Sequence, residues 1–136
     1  MRGIVNVINE KKEYVCTLIC LQDGHVSGLG SEMFKILNKG NFTVSWEPLA
    51  DGQKITRFAN MGCLGAHLVS KLKKGVGNVI MLQPQEQRGE PYIYTFYTNS
   101  KKEVLLKIEA YEKVIFNNTL IKFNPHEVER QMMGLL

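Results

Sequence analysis

Two segments thirty-five positions apart constrain the fold of this chain more than any other feature: "SGLGSEMFKILNKG" (27–40) and "GCLGAHLVSKLKKG" (62–75). Both run from a glycine-rich start through an amphipathic stretch to a Lys-Gly stop. The offset aligns Leu29 with Leu64, Gly30 with Gly65, Leu37 with Leu72, Lys39 with Lys74, Gly40 with Gly75 and Val44 with Val79. In each, apolar positions recur at helical spacing, and a glycine just past the last of them is the usual helix terminator. A solenoid needs more copies than this to bury its faces, so the frame implies two similar βαβ units.

The flanking sequence supports strands around those helices. Residues 3–8 ("GIVNVI") and 14–21 ("YVCTLICL") are apolar and β-branched, joined through the charged "NEKKE". Helices are expected at about 31–39 and 64–74, and "NFTVSWEPL" and "KITRFAN" flank a tight turn at Asp51-Gly52. After the strand "NVIMLQP" the chain predicts strands at 92–98, 103–110, 113–116 and 119–123, with Asn117-Asn118 as a hairpin turn. Asn124 as N-cap, Pro125 at the first helical position and Glu127 at the third open a short terminal helix whose apolar residues suit docking. The expected fold is α+β: a β-α-β-β-α-β open-faced sandwich (about 14–84), extended by an antiparallel meander and a terminal helix (about 91–136), in one domain over 1–136.

Composition narrows the function classes. With 136 residues, 44% hydrophobic and 22% charged, the chain has the length of one domain and enough apolar content for a core. It has neither a membrane-length apolar run nor a signal-peptide h-region, so a cytoplasmic protein is expected. Three cysteines without framework spacing do not make a disulfide scaffold, and Cys16 and Cys20 read as buried, reduced thiols. The net charge of +4 divides as 7 basic against 6 acidic groups in 1–68 and 10 against 7 in 69–136. The basic clusters Lys71, Lys73, Lys74 and Lys101, Lys102 would attract anions.

The stretch "DGQKITRFANMG" (51–62) is similar to the turn, strand and Met-Gly helix entry of the bacterial phosphocarrier proteins of the sugar phosphotransferase system. His25, in a glycine-containing loop before the first helix, stands near the place of that family's phosphorylated histidine. The resemblance covers about a third of the chain and supports topology. Ser27 stands where the family has an arginine, and Ala59 where it has its regulatory serine, which counts against phosphotransfer through His25.

No catalytic signature, metal motif or cofactor motif emerges. "SGLGS" lacks the Gly-Lys-Ser/Thr of a phosphate loop and the third glycine of a dinucleotide fingerprint. Cys63 and His67 share a helix face, but Cys16 and Cys20 would lie ~13 Å apart on a strand, which argues against one zinc ion. Helix N-terminal amides do favour anions, and the second glycine segment, with Arg57 and Lys71 nearby, is the better placed. In "EPYIYTFYTNSKKE" alternation puts Tyr92, Tyr94 and Phe96 on one sheet face and Ile93, Thr95 and Tyr97 on the other. Tyrosines on the solvent face beside Lys101 would make a stacking platform or a dimer interface.

The expected function is a non-enzymatic binding protein, a homodimer, that takes a nucleotide or other small anion. The ligand-binding candidates are Arg57, Gly62, Gly65, His67, Lys71, Lys74, Tyr92, Tyr94 and Lys101. A protein-interaction or inhibitor module, a single-stranded nucleic-acid binder and a phosphocarrier using His25 are the alternatives.

Overall fold

A computed structural model describes residues 1–37, 43–45, 57–86 and 89–135. Six strands form one sheet: β1 (Gly3–Ile8), β2 (Tyr14–Cys20), β5 (Val79–Leu82), β6 (Tyr92–Thr98), β7 (Val104–Ala110) and β8 (Lys113–Thr119). Their order is β5-β2-β1-β6-β7-β8, antiparallel throughout except where β1 and β6 run parallel at the centre. The fold is α+β, and the C-terminal meander is present as β6-β7-β8.

The central β-α-β-β-α-β order also holds along the chain, but its middle strands do not enter the main sheet. β3 (Thr43–Val44) and β4 (Arg57–Phe58) pair with each other in parallel. This small sheet hangs from the β6–β7 turn, where Thr43 bridges to Glu103 and the Val44 amide donates to the Lys102 carbonyl at 3.0 Å. The expected turn at Asp51-Gly52 and the stop at Gly40 lie outside the described residues.

One sheet face carries Val5, Val7, Cys16, Leu18, Tyr94, Phe96, Leu106 and Ile108, all buried in the main core. The helices cover this face: α1 (Ser31–Ile36), α2 (Met61–Leu72) and α3 (Pro125–Leu135). α2 lies close to β1 and β2 because Gly65 faces them, and a Cβ there would sit 3.3 Å from Cys16 Sγ. α3 starts as its sequence requires: the Asn124 side chain accepts from the His126 and Glu127 amides at 3.0 and 3.2 Å, and Val128 and Met132 dock into the core.

Three local expectations give way. The glycine-containing loop expected before the first helix is itself wound: Val26–Gly30 forms a π-helical turn that runs directly into α1. The second helix begins earlier than the expected 64, since α2 starts at Met61 and places Gly62 and Gly65 inside it. Its start is set by Asn60, whose side chain accepts from the Cys63 amide at 2.8 Å. At the other end Lys73, not Gly75, is the capping residue. Finally, Asn117 and Asn118 make no hairpin: they pair with Lys107 and Leu106 inside β8. The reversal falls earlier, at Tyr111-Glu112, where both residues have positive φ (50° and 70°), as a two-residue type I′ loop demands.

No helix among the described residues covers the opposite sheet face. Its strands present cross-strand rows: Tyr14, Ile8, Tyr97, Leu105 and Thr119 at one end; Thr17, Asn6, Thr95, Lys107 and Asn117 next; then Ile19, Ile4, Ile93, Glu109 and Val114. β5 and β6 are parallel with two strands between them, so their connection must cross the sheet. It does so on this face, where Gln85 donates its amide to Thr17 Oγ1 at 2.8 Å and Ile4, Ile19 and Leu82 form a second small core.

Candidate functional site

The site is built from two turns. Residues 9–13 read Asn-Glu-Lys-Lys-Glu and residues 99–103 read Asn-Ser-Lys-Lys-Glu, an Asn-x-Lys-Lys-Glu signature at an offset of 90. The first joins β1 to β2 and the second joins β6 to β7. Because β1 and β6 are parallel neighbours, both turns emerge side by side at one end of the sheet.

Their internal bonding is the same. Asn9 Oδ1 accepts from the Lys11 and Glu13 amides at 2.9 and 3.0 Å, and Asn99 Oδ1 accepts from the Lys101 and Glu103 amides at 2.9 and 3.0 Å. Each Asn amide group donates to its own glutamate carboxylate, at 3.4 Å in the first turn and 3.0 Å in the second. The Lys12 and Lys102 amides both donate to the carbonyl of their Asn at 3.0 Å. Both lysines are left-handed, with φ of 64° and 62°. Glycine or asparagine would adopt that conformation with less strain, yet a lysine stands there twice.

Between the turns lies a cleft of about 740 Å³, flanked by Lys12 and Lys102 and floored by Ile8, Tyr97 and Thr98. Glu10 is the acidic residue of its wall. The cleft shares Ile8 and Tyr97 with a smaller trough of about 320 Å³ on the same sheet face, lined by Tyr14, Lys107 and Asn117 and by the buried Asn6 and Thr95. Tyr97 and Tyr14 are half-buried. The Tyr97 hydroxyl donates to Asn117 Oδ1 on β8, two strands away, so its ring must lie across β7 with one face toward solvent. Lys107 sits 3.8 Å from Glu109 at the trough edge.

The sequence-selected residues are dispersed around this arrangement. Lys101 belongs to the second turn and is exposed. Arg57 pairs through its backbone with Thr43, which bridges to Glu103; its side chain lies outside the described residues. Gly62 and Gly65 are structural positions of α2. His67 is half-buried with its ring 5.6 Å from that of Phe58, and Lys71 is exposed on the same helix. Lys74 lies toward the opposite end of the sheet, 2.6 Å from Glu32, whose carboxyl its hydrogen bond holds below the usual range.

Tyr92 and Tyr94 require a correction. Alternation separates the two faces as expected, but these rings point into the helix-covered core, at 2% and 0% exposure. The Tyr94 hydroxyl is satisfied there by the Gly24 carbonyl at 2.7 Å, which makes burial of the phenol tolerable. The β6 tyrosine on the other face is Tyr97, one position out of phase with them. Lys12 and Tyr14 are not among the ligand-binding candidates chosen from sequence, and Tyr97 enters there only as a residue of the opposite β6 face. The signal that finds them is the second Asn-x-Lys-Lys-Glu.

A further cleft of about 380 Å³ brings the two glycine segments together, with Ser31 and Gly28 of one facing Lys74 of the other. Asp23 and Glu32 there oppose Lys35 and Lys74, so it has no preference of sign. His25 is half-buried, its ring 5.7 Å from Tyr92, and its carbonyl accepts from the Gly28 amide at 3.0 Å. Cys16 and Cys20 are buried and Cys63 is exposed; all three are free thiols. Among the described residues no group of three or more His, Cys, Asp or Glu is placed to hold a metal ion. No helix among them is long and apolar enough to cross a membrane. Comparison with protein-family models, with curated proteins and with solved structures finds no match.

Proposed function

We propose that this chain is a small cytosolic binding protein that takes an anionic, nucleotide-like ligand between the paired lysine turns and along the open sheet face. One observation carries the proposal: Lys12 and Lys102 hold the same left-handed conformation in equivalent turns, on either side of one cleft. Strained backbone maintained twice with the same cation is the pattern expected when the side chain has work there. The cleft falls in the ~300–1,000 Å³ range of small-ligand sites, and an aromatic floor with flanking cations suits a base joined to phosphate. The weight rests on the turn lysines rather than on helix N-termini, since Asn60 already takes an amide of α2. Free thiols agree with a reducing compartment.

Calorimetric titration with a nucleotide panel tests the proposal. Binding in the micromolar to millimolar range is expected, at least ten-fold weaker in the Lys12→Ala/Lys102→Ala variant. No binding at millimolar nucleotide by a folded protein, or equal binding by the double variant, overturns it.

A second reading is pairing with another copy of the chain. The edge strand β5 exposes Ile80 (44%) and Met81 (61%) and carries none of the charges that normally protect a sheet edge. Edge-to-edge pairing predicts a dimer by sedimentation that Met81→Lys converts to monomer. A wild-type monomer at high concentration rejects it.

A further inference from the structure

The proposed cleft extends past the two turns onto the sheet face. Its two troughs are open, and they meet at the half-buried Ile8 and Tyr97 on the sheet face that no described helix covers. Tyr14 on β2, Ile8 on β1 and Tyr97 on β6 form one level row on that face, since Ile8 pairs with Tyr14 and follows the Val7–Phe96 pair. Two strand spacings, ~10 Å, separate the backbones of the tyrosines, and the Tyr97 ring reaches further away toward β8, so a single base stacks on only one of them. Beyond this row lie Lys107, beside Glu109, and Asn117, which accepts from Tyr97, and at the end of the row stand Lys11, Lys12, Lys101 and Lys102.

Resting on the binding proposal above, we infer that the occupant is a single-stranded oligonucleotide, with successive bases on Tyr14 and Tyr97 and its phosphates toward the paired turns. Stacking on aromatic rings together with a basic margin is how strands are held without sequence preference. A duplex keeps its bases inside the stack and offers the tyrosines nothing to stack on. A polyanion without bases satisfies only the lysines. The class of ligand is therefore separable from the existence of the anion site.

Fluorescence anisotropy with a labelled twelve-nucleotide oligothymidylate makes the test, with inorganic polyphosphate of similar charge and a duplex of the same length as competitors. The oligonucleotide is expected to bind at least ten-fold more tightly than either competitor. Tyr14→Leu and Tyr97→Leu should each weaken it about ten-fold, and should weaken polyphosphate, which has no bases to stack, by much less. Tyr97→Phe, which keeps the ring and removes the bond to Asn117, should stay within three-fold of wild type and shows that loss in the leucine variant is loss of stacking. If polyphosphate competes as well as the oligonucleotide, or if neither leucine variant weakens binding, the strand assignment fails and the anion site stands. If neither oligonucleotide nor polyphosphate binds, both fail.

Discussion

Asn9 and Asn99 do the same thing in two neighbouring turns: each side-chain oxygen accepts from the amides two and four residues further on, at 2.9 and 3.0 Å. The consequence lies one residue before the closing glutamate. The bonds pin a five-residue reversal whose fourth position must be left-handed, and that position is Lys12 in one turn and Lys102 in the other. Turn chemistry thereby fixes the backbone from which both cations project.

Stability and binding should therefore move in opposite directions at these two positions. Lys12→Gly/Lys102→Gly relieves left-handed strain worth up to ~1 kcal/mol per site, partly offset by glycine's greater unfolded-state entropy. Urea denaturation should show unchanged or slightly raised stability, while affinity for an anionic ligand falls at least ten-fold. A variant that loses stability but keeps its affinity would mean that the lysines serve the turn alone.

Removing Glu10 tests the electrostatics of the cleft from the other side. Its carboxylate lines the wall with Lys12 and Lys102, so Glu10→Gln changes the formal balance of those three groups from +1 to +2. Affinity for a phosphorylated ligand should rise several-fold at low salt, with the advantage shrinking as screening grows. Unchanged affinity at low salt would place the ligand elsewhere.

The core makes a separate prediction around Gly24. Its carbonyl accepts the Tyr94 hydroxyl at 2.7 Å and its amide donates to the Met1 carbonyl at 2.8 Å. A Cβ at this position would lie 2.4 Å from the Arg2 carbonyl carbon, so Gly24→Ala must displace backbone. A loss of roughly 3 kcal/mol is expected by denaturant unfolding. Tyr94→Phe, which only leaves the carbonyl unpaired, should lose about 1–2 kcal/mol. Equal effects would mean that the hydrogen bond, and not the close approach, governs this contact.

How much of this was legible in sequence follows from where the determining contacts are. Local signals read well: the β1–β2 hairpin, the α3 cap at Asn124 and the alternation of β6 all depend on neighbours within a few residues. Which face of β6 is buried depends on where three helices land, a long-range outcome that alternation alone does not specify; hence Tyr92 and Tyr94 fell inward and Tyr97 outward. Asn117-Asn118 resembled a turn because those residues favour one, but pairing with Lys107 and Leu106 outweighed the propensity. The paired turns were readable from the repeated motif at 9–13 and 99–103. Their juxtaposition was not, because it needs β1 beside β6.

The pH dependence of stability should be set at the alkaline side by the buried thiols and phenols. Burial pushes the Cys20 thiol up from its ordinary value of 9.0 to about 11, and Cys16, Tyr92 and Tyr94 are raised by the same cause. Below about pH 9 these groups are protonated in both states and stability is at its plateau. As pH rises past 9 the unfolded Cys20 ionises while the native thiol holds its proton, so unfolding is favoured. The Cys20 contribution is lost across pH 9–11, at up to ~1.4 kcal/mol per pH unit, and Cys16 adds in the same direction. The tyrosines, with an ordinary value of 10.0, add to the fall at the upper end. Urea melts at stepped pH should show this decline, and Cys20→Ala should begin less stable at pH 7 but lose less between pH 9 and 11. The same burial predicts that a thiol reagent labels Cys63 in the native protein at pH 8 and reaches Cys16 and Cys20 only on unfolding. A stability profile flat to pH 11, or immediate labelling of three thiols, would contradict the buried placement on which the helix-covered face depends.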